Sequence, residues 1–327
     1  MQRKYIILTL ILIFTIFGFF AHAQLQSTDI VLGLTPQYPS PNQNINAVLS
    51  SHSIDLDKAN ISWSINNQET SVGIGKKSFS FKIGDLGSPT VLSATIDTID
   101  GQSILKTTTI TPADVDVLWE AYDAYTPPFY KGKALAPSQG KFKVVALPSL
   151  MSQSGTKVSI NNLSYAWTED GNPQTDSSGW GKNYFIFQNS YLDKGNIVDV
   201  EVSDISGNTN TSGRITLNTT NPKILFYEND PILGTKWENA LSDGFVINPN
   251  GNTLVAEPYF FSPKDINSSN LTFDWSLNGQ KIDTPAAKNI LSIKPEAGQT
   301  GSAIIKLDVN NTDTLFQEVV KQLNVSF

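Results

Sequence analysis

Few side chains in this sequence could carry out chemistry, and a stretch of glycine and lysine is the first to consider. Residues 73–77 read Gly-Ile-Gly-Lys-Lys, with the glycines two residues apart. A phosphate-binding loop needs glycines about five residues apart, then lysine and serine or threonine, between a strand and a helix. Residues 78–82 alternate polar and apolar side chains, which is typical of a strand. The stretch therefore predicts a strand entrance and no nucleotide site.

The sequence also offers few residues for nucleophilic catalysis or zinc binding. The sequence contains no cysteine and two histidines, His22 and His52. A Ser-His-Asp hydrolase needs a placed histidine, and no Gly-x-Ser-x-Gly nucleophile elbow accompanies His52. Zinc sites use several histidine and cysteine ligands, which one imidazole cannot provide. We therefore predict no catalytic residue and no zinc ligand.

Carboxylates are more numerous, and two kinds of site could use them. A glycosidase needs two carboxyl groups that face each other across a groove, one of them with a raised pKa, and this hypothesis stays open as an alternative. Calcium could be held where oxygen ligands from two domains meet, but no EF-hand spacing is present. We predict no cofactor, with structural calcium at Asp114 and Asp116 as the alternative. Close pairs of aspartates occur at Asp55/Asp57, Asp97/Asp100, Asp114/Asp116 and Asp199/Asp204.

An aromatic-rich segment, 119–135, is the most unusual part of the sequence and is too irregular to predict as a strand. A weaker echo follows at 225–241. Exposed tryptophan and tyrosine rings beside polar groups suit sugar faces or a protein partner. The structural interpretation is that the rings cover the open end of a core, and the echo favours it. The candidate ligand-binding residues are Trp119, Tyr122, Tyr125, Phe129, Tyr130 and Trp237.

A repeat of about one hundred residues shows which elements must position these side chains. Three segments share a strand pattern centred on a tryptophan, and the tryptophans are spaced 104 and 108 residues apart. An apolar residue stands two positions before each tryptophan, and a residue that tolerates positive φ stands four positions after it. The three pairs are Trp63 with Asn67, Trp167 with Gly171, and Trp275 with Gly279.

The same pieces follow each tryptophan in the same order. A lysine-led strand comes next, with Lys76, Lys182 or Lys288 at its start, and then an alternating hairpin that closes the repeat. One such unit per hundred residues predicts an all-β fold of three tandem immunoglobulin-like antiparallel β-sandwiches after an N-terminal signal peptide. Proline-containing links separate them, so the predicted domains are residues 24–112, 113–221 and 222–327.

The tryptophan strand, the Gly-Lys step and the terminal hairpin resemble bacterial immunoglobulin-like and PKD-like domains of secreted and cell-surface proteins. The resemblance covers nearly all of residues 24–327 and rests on fold markers. It implies a non-enzymatic structural or adhesion protein, built as a semi-rigid rod of immunoglobulin-like domains. The partners it implies are other surface proteins or glycans.

The N-terminus has the layout of a secretory signal peptide. Arg3 and Lys4 precede an apolar run at residues 5–20, and Ala21-His22-Ala23 is a small-x-small cleavage signature. We predict that residues 1–23 are removed before Gln24, with an uncleaved membrane anchor as the alternative. The protein is then expected to be secreted or on the cell surface, with membrane contact only through an uncleaved N-terminus.

Composition and charge restrict the remaining choices. The formal net charge of -7 and the pI of about 4.9 argue against nucleic acid as a partner, because its phosphates would be repelled. A carbohydrate-binding module that uses residues 119–130 is the first alternative to the structural function. A carboxylate-dependent glycosidase is the second.

Overall fold

The computed structural model describes residues 29–152, 155–192, 195–205, 207, 209–283 and 287–327. The predicted signal peptide, residues 1–23, lies outside the described residues. The described chain consists of strands and connections, with two short 3-10 turns at Ile160–Asn162 and Thr175–Ser177. In this part of the chain, no helix has the length and apolarity needed to cross a bilayer.

The first sandwich contains two antiparallel sheets, ordered β1-β2-β5 and β4-β3-β6-β7. Buried and exposed residues alternate along β2, so one side of that strand faces the core. The strands are β1 Val31–Thr35, β2 Asn44–Ser50, β3 Asn60–Ile65, β4 Gln68–Ile74, β5 Ser78–Lys82, β6 Thr90–Asp97 and β7 Ser103–Ile110.

The second sandwich repeats this plan with sheets β13-β9-β8 and β11-β10-β14-β15, and the short β12 also pairs with β10. Both sheets contribute side chains to its one core cluster, with aromatic side chains at its centre. The strands are β8 Asp114–Ala121, β9 Lys141–Ser149, β10 Leu163–Glu169, β11 Asn172–Pro173, β12 Gly179–Trp180, β13 Tyr184–Gln188, β14 Gly195–Asp204 and β15 Asn210–Asn218.

The third sandwich has sheets β17-β16-β19-β22 and β18-β24-β23-β20-β21. It adds β17 to one sheet edge, while β18 pairs with β24 in parallel. The strands are β16 Lys223–Asp230, β17 Gly234–Ala240, β18 Phe245–Val246, β19 Asn252–Tyr259, β20 Leu271–Leu277, β21 Gln280–Ile282, β22 Ile290–Ile293, β23 Ser302–Asn311 and β24 Glu318–Ser326.

Strand order is the same in all three sandwiches. Two early strands and a later one form one sheet, and the tryptophan strand pairs with the closing hairpin in the other. This is the immunoglobulin-like arrangement, and the prediction of tandem antiparallel β-sandwiches is confirmed. Residues 29–37, 45–81 and 91–109 form one compact unit, and residues 38–44, 82–90 and 110–327 form another. The second and third sandwiches thus belong to one unit, while the domain boundaries stay a prediction.

The repeated tryptophan and the repeated lysine are parts of one structural device. Each indole ring is at most 1% exposed, and its N–H donates a hydrogen bond of 2.9 Å to the carbonyl of the repeat's lysine. A buried indole N–H needs such a partner, and the strand entrance supplies it. The carbonyl of the lysine therefore helps to fix the chain path around the indole ring. The pairs are Trp63–Lys76, Trp167–Lys182 and Trp275–Lys288.

The turn after each tryptophan strand is also shared. Its two central residues have positive φ, as the sequence pattern predicts for the second of them. The first central residue is Asn or Asp, and its side-chain oxygen accepts a backbone N–H at the start of the closing hairpin, at 2.7–2.9 Å. Each hairpin turn is thereby tied to the neighbouring strand. The bonded pairs are Asn66–Val91, Asp170–Ile197 and Asn278–Ile304.

Candidate functional site

Trp119 and Tyr122, the first two candidate residues, lie at the end of strand β8. The prediction that this segment is irregular is wrong up to Ala121, because β8 pairs with β9 along its whole length. Trp119 is half-buried and packs against Phe142 at a ring distance of 5.4 Å, while the ammonium of Lys133 lies 3.4 Å from its ring centre. Trp119 therefore packs within the second sandwich, and Tyr122 next to it is 45% exposed.

The other candidate residues lie where the second sandwich contacts the third, a surface that we call the joint. It consists of residues 122–140 from the second sandwich, and strands β16, β17 and β19 with residues 260–262 and 315–317 from the third. Tyr125 is at its centre, because its N–H donates to the carbonyl of Phe261 at 2.6 Å and its carbonyl accepts the Phe260 N–H at 2.8 Å. This reciprocal pair resembles one rung of an antiparallel ladder.

Aromatic rings from both sandwiches pack around that pair. Tyr130 meets Tyr259 edge-on, with ring centres 5.7 Å apart, and Phe260 at 5.8 Å. Trp237 lies 5.4 Å from the Tyr227 ring, and its own ring centre is 6.5 Å from that of Phe129. The structure thus brings Tyr125, Phe129, Tyr130 and Trp237 together. Neighbouring rings are inclined at 55–80°, which suits aromatic packing and gives no flat shared platform.

A buried glutamine forms the polar half of the joint. Gln317 is 0% exposed, and its amide N–H donates to the carbonyl of Ser138 in the second sandwich at 2.9 Å. Its Oε1 accepts the backbone N–H of Ser262 at 2.9 Å. Nearby, the Leu315 N–H donates to Oε1 of Gln139 at 2.8 Å. These bonds are directional, so they fix the orientation of the two sandwiches as well as their contact.

Backbone strain is concentrated at the joint. Within the described part of the chain, the positive-φ residues other than glycine, asparagine and aspartate are Phe129 (φ 63°), Gln139 (φ 59°) and Phe260 (φ 65°). All three belong to the joint. A bulky residue in this conformation costs on the order of 1–2 kcal/mol. At Phe260, whose ring is 3% exposed, contacts across the joint offset this cost.

An acidic side chain is buried in the same place. Glu257 is 3% exposed, and its Oε2 accepts a hydrogen bond of 2.6 Å from the Tyr125 hydroxyl. Burial raises the pKa of Glu257, and the hydrogen bond from Tyr125 opposes that rise in part. Burial and the adjacent Glu257 also raise the pKa of Tyr125, so its hydroxyl keeps its proton and remains a donor.

This burial predicts a pH dependence of stability. Because the folded-state pKa of Glu257 lies above its ordinary value of 4.5, protonation stabilises the fold fully below that pH, and the stabilisation is lost as the pH rises through the folded-state value. We therefore expect the unfolding free energy of the wild type minus that of Glu257→Gln to decrease as the pH increases. Urea denaturation from about pH 4 to about pH 8 measures this difference. The exposed Glu238→Gln is the control and should show no such decline; equal curves for both variants would contradict the prediction.

A cavity of about 440 Å³ at the far end of the third sandwich contains two carboxylates, which bear on the glycosidase alternative. Glu228 bonds to the Lys236 ammonium at 2.9 Å and to the Asn252 amide at 3.0 Å. Asp230 accepts two backbone N–H groups of its own turn, which lower its pKa. A general acid needs a raised pKa, and Asp230 shows the opposite shift, so it does not match that requirement.

The remaining candidates lie elsewhere. The His52 side chain is exposed, and its backbone N–H donates to Asp29 at 2.5 Å. Asp114 and Asp116 are exposed on β8, and Asp114 accepts a hydrogen bond of 3.3 Å from the Ser40 hydroxyl. In the described ranges, no group of three or more histidine, cysteine, aspartate or glutamate side chains is arranged to hold a metal ion.

Sequence reasoning identified Trp237 but missed the rest of the third sandwich's share of the joint. Tyr259 and Phe260 belong to a Pro-Tyr-Phe-Phe run, and Glu257 interrupts the apolar strand β19. Each of these two features is visible in the sequence and could have marked the residues as candidates. Gln317 carried none, because a single glutamine in a polar turn is ordinary.

Comparisons with known proteins find similar chains among solved structures. No family model and no curated protein matches the chain. Among solved structures, the chain is similar to the fibronectin(III)-like modules of Clostridium thermocellum CbhA, at 13% identity over 58% of this chain and 94% of that one, with a TM-score of 0.28. The three N-terminal domains of the bacteriophage RB49 Highly Immunogenic Outer Capsid protein give 11% identity over 91% and 99%, with a TM-score of 0.26. The central fibronectin-III array of RIM-binding protein gives 9% identity over 89% and 95%, with a TM-score of 0.30.

Proposed function

We propose that this protein is a non-catalytic structural protein of the cell surface or extracellular space, in which the second and third sandwiches act as one rigid body. The reciprocal backbone bonds of Tyr125 with Phe260 and Phe261 are the observation that carries the proposal. Relative motion is the default for neighbouring domains unless their interface is extensive. Main-chain pairing across the joint, together with the buried Gln317, removes that freedom.

The chemistry of the site supports a non-enzymatic function. Among the residues that the structure describes, the acids with raised pKa values are Asp123 and Glu257; both belong to the joint, where burial causes the shifts. Glu257 is bonded to a tyrosine and is almost inaccessible, so it cannot protonate a substrate. We assign Tyr125 and Tyr130 to packing between the two sandwiches, whereas the structural interpretation of the sequence was that the segment covers the open end of one core.

The location and family are proposed from sequence. The basic start, the apolar run 5–20 and Ala21-His22-Ala23 support export. The tryptophan strand and the Gly-Lys step support the bacterial immunoglobulin-like or PKD-like assignment. Surface proteins or glycans are the partners such a module would contact.

Hydrogen exchange of the full chain in mild denaturant tests the rigid body. The probes are core amides of the second sandwich, 198–202 on β14, and of the third, 305–309 on β23. We expect both sets to exchange with the same opening free energy, because the two sandwiches unfold together. The double variant Tyr125→Ala/Gln317→Ala should separate them. Different opening free energies in the wild type would overturn the proposal.

Cell fractionation with N-terminal sequencing tests the location. A mature protein that begins at Gln24 in the medium would support secretion, and an intact Met1 in the membrane fraction would support an anchored surface protein. Recovery of the uncleaved chain from the cytosol would contradict both.

A further inference from the structure

One aromatic ring at the rim of the joint is not explained by packing. Phe129 has a φ of 63°, a conformation that disfavours a side chain as large as phenylalanine. Its ring is nevertheless 80% exposed, so packing returns little of that cost. Phe260 has similar backbone strain, but its ring is 3% exposed and well packed. The contrast indicates that the Phe129 ring contacts something outside the chain.

A second irregularity of the backbone, a bulge in β17, exposes the neighbouring ring of Trp237. Tyr227 pairs with Ala240 and Asn229 pairs with Thr235, so β17 holds three more residues than β16 between these pairs. Such a bulge redirects side chains, and Trp237 is within it. Trp237 remains partly exposed beside Phe129. Two departures from regular structure therefore place two accessible aromatic rings side by side.

A row of uncharged polar side chains continues from these rings across the sheet. Strand pairing places one residue from each of β17, β16, β19 and β22 on the same outward face. Neighbouring strands are about 4.8 Å apart, so the row extends for about 14 Å. The hydroxyls of the third and fourth members are 3.0 Å apart, and each keeps hydrogen-bonding capacity. The row consists of Thr235, Asn229, Thr253 and Ser292.

We propose that this outward face, from Phe129 and Trp237 to Ser292, binds a neutral oligosaccharide. The proposal goes beyond the structural function and does not rest on it. Sugar rings have apolar faces that pack against aromatic side chains, and their hydroxyls bond to hydroxyl and amide groups. The outward face has both features side by side, because the two aromatic rings adjoin the polar row. The row is also longer than one sugar.

Charge favours a sugar over an ionic ligand. The row itself carries no charge, and the nearest ion pair, Lys236 with Glu228, is closed at 2.9 Å. Glu228 lies on the opposite, core-facing side of β16, because it comes two residues after the buried Phe226. Asp230 and Lys294 line the same cavity as Asn229, Thr253 and Ser292, but the row itself offers an ionic ligand no charged side chain.

Titration calorimetry with linear hexasaccharides of glucose, xylose and N-acetylglucosamine tests the site in the full chain. We expect at least one to bind, and Trp237→Ala and Phe129→Gly each to weaken it by about tenfold or more. Trp180→Ala is the matched control, because Trp180 is a 50% exposed tryptophan on the second sandwich. It should leave binding unchanged.

Stability measurements keep the test decisive. Phe129→Gly relieves a positive φ and removes an exposed ring, so its melting temperature should stay close to that of the wild type. A loss of affinity in that variant then reports the site and not the fold. The absence of binding to all three sugars would overturn the proposal, as would equal losses in Trp180→Ala. Capture of a protein partner that depends on Trp237, without sugar binding, would assign the face to protein recognition instead.

Discussion

Replacing Trp167 with alanine is expected to destabilise the second sandwich by about 3–5 kcal/mol. The ring is 1% exposed, packs against Phe185 at 6.0 Å and donates its N–H to the Lys182 carbonyl. The substitution removes a large apolar volume and also leaves a carbonyl without its donor. Urea unfolding followed by far-ultraviolet circular dichroism measures the loss.

Two further variants separate the causes of this loss. Trp167→Phe keeps most of the volume and loses the hydrogen bond, so about 1–3 kcal/mol is expected. Trp180→Ala removes a 50% exposed ring from the same sandwich and should change stability by about 0.5 kcal/mol or less. If Trp167→Ala cost no more than Trp180→Ala, the central role of the repeated tryptophan would be refuted.

Replacing Gln317 with alanine is expected to cost the unit formed by the second and third sandwiches about 2–6 kcal/mol. Two groups lose their partner, namely the buried Ser262 N–H and the partly buried Ser138 carbonyl. Each such orphaned group costs about 1–3 kcal/mol. The Ser138 carbonyl belongs to the second sandwich, so opening of the joint should accompany the loss. Urea unfolding and hydrogen exchange of residues 260–262 report the two effects.

Gln322→Ala is the matched control for that prediction. Gln322 is an exposed glutamine on the same part of the chain, within strand β24. Its replacement should change stability by about 0.5 kcal/mol or less. A similar small effect for both glutamines would mean that water replaces the Gln317 side chain, and that the joint does not depend on it.

The fold could be predicted because its signals are local and repeated. An apolar residue two positions before each tryptophan and a turn residue four positions after it define one strand and its hairpin. Their recurrence at intervals of 104 and 108 residues then defines the modules. The end of strand β8 was predicted to be irregular because Trp119-Glu120-Ala121 looks irregular by itself, whereas pairing with β9 holds it extended.

The joint could be predicted only in part, because its contacts join distant segments. The aromatic segment was conspicuous, but its partners near Phe260 lie more than a hundred residues further along the chain. No local propensity predicts a positive φ at Phe129 or Phe260, since phenylalanine rarely adopts one. At Phe260, contacts with the second sandwich hold that conformation. The exposure of each ring also depends on the opposing sandwich, so packing residues and accessible ones could not be separated by type.

The pairing of each core indole with a main-chain carbonyl has an evolutionary consequence. Any amino acid supplies the same carbonyl, so the bond constrains the path of the chain and leaves the residue type free. The lysine ammonium groups reach a different partner in each copy, namely the Ser71 hydroxyl, the Asp176 carbonyl, and the Ser268 and Leu271 carbonyls. Substitutions at these lysines can accumulate without harm to the cores. Duplicated modules of this type can therefore diverge until the tryptophan and the path around it are the main traces of common descent.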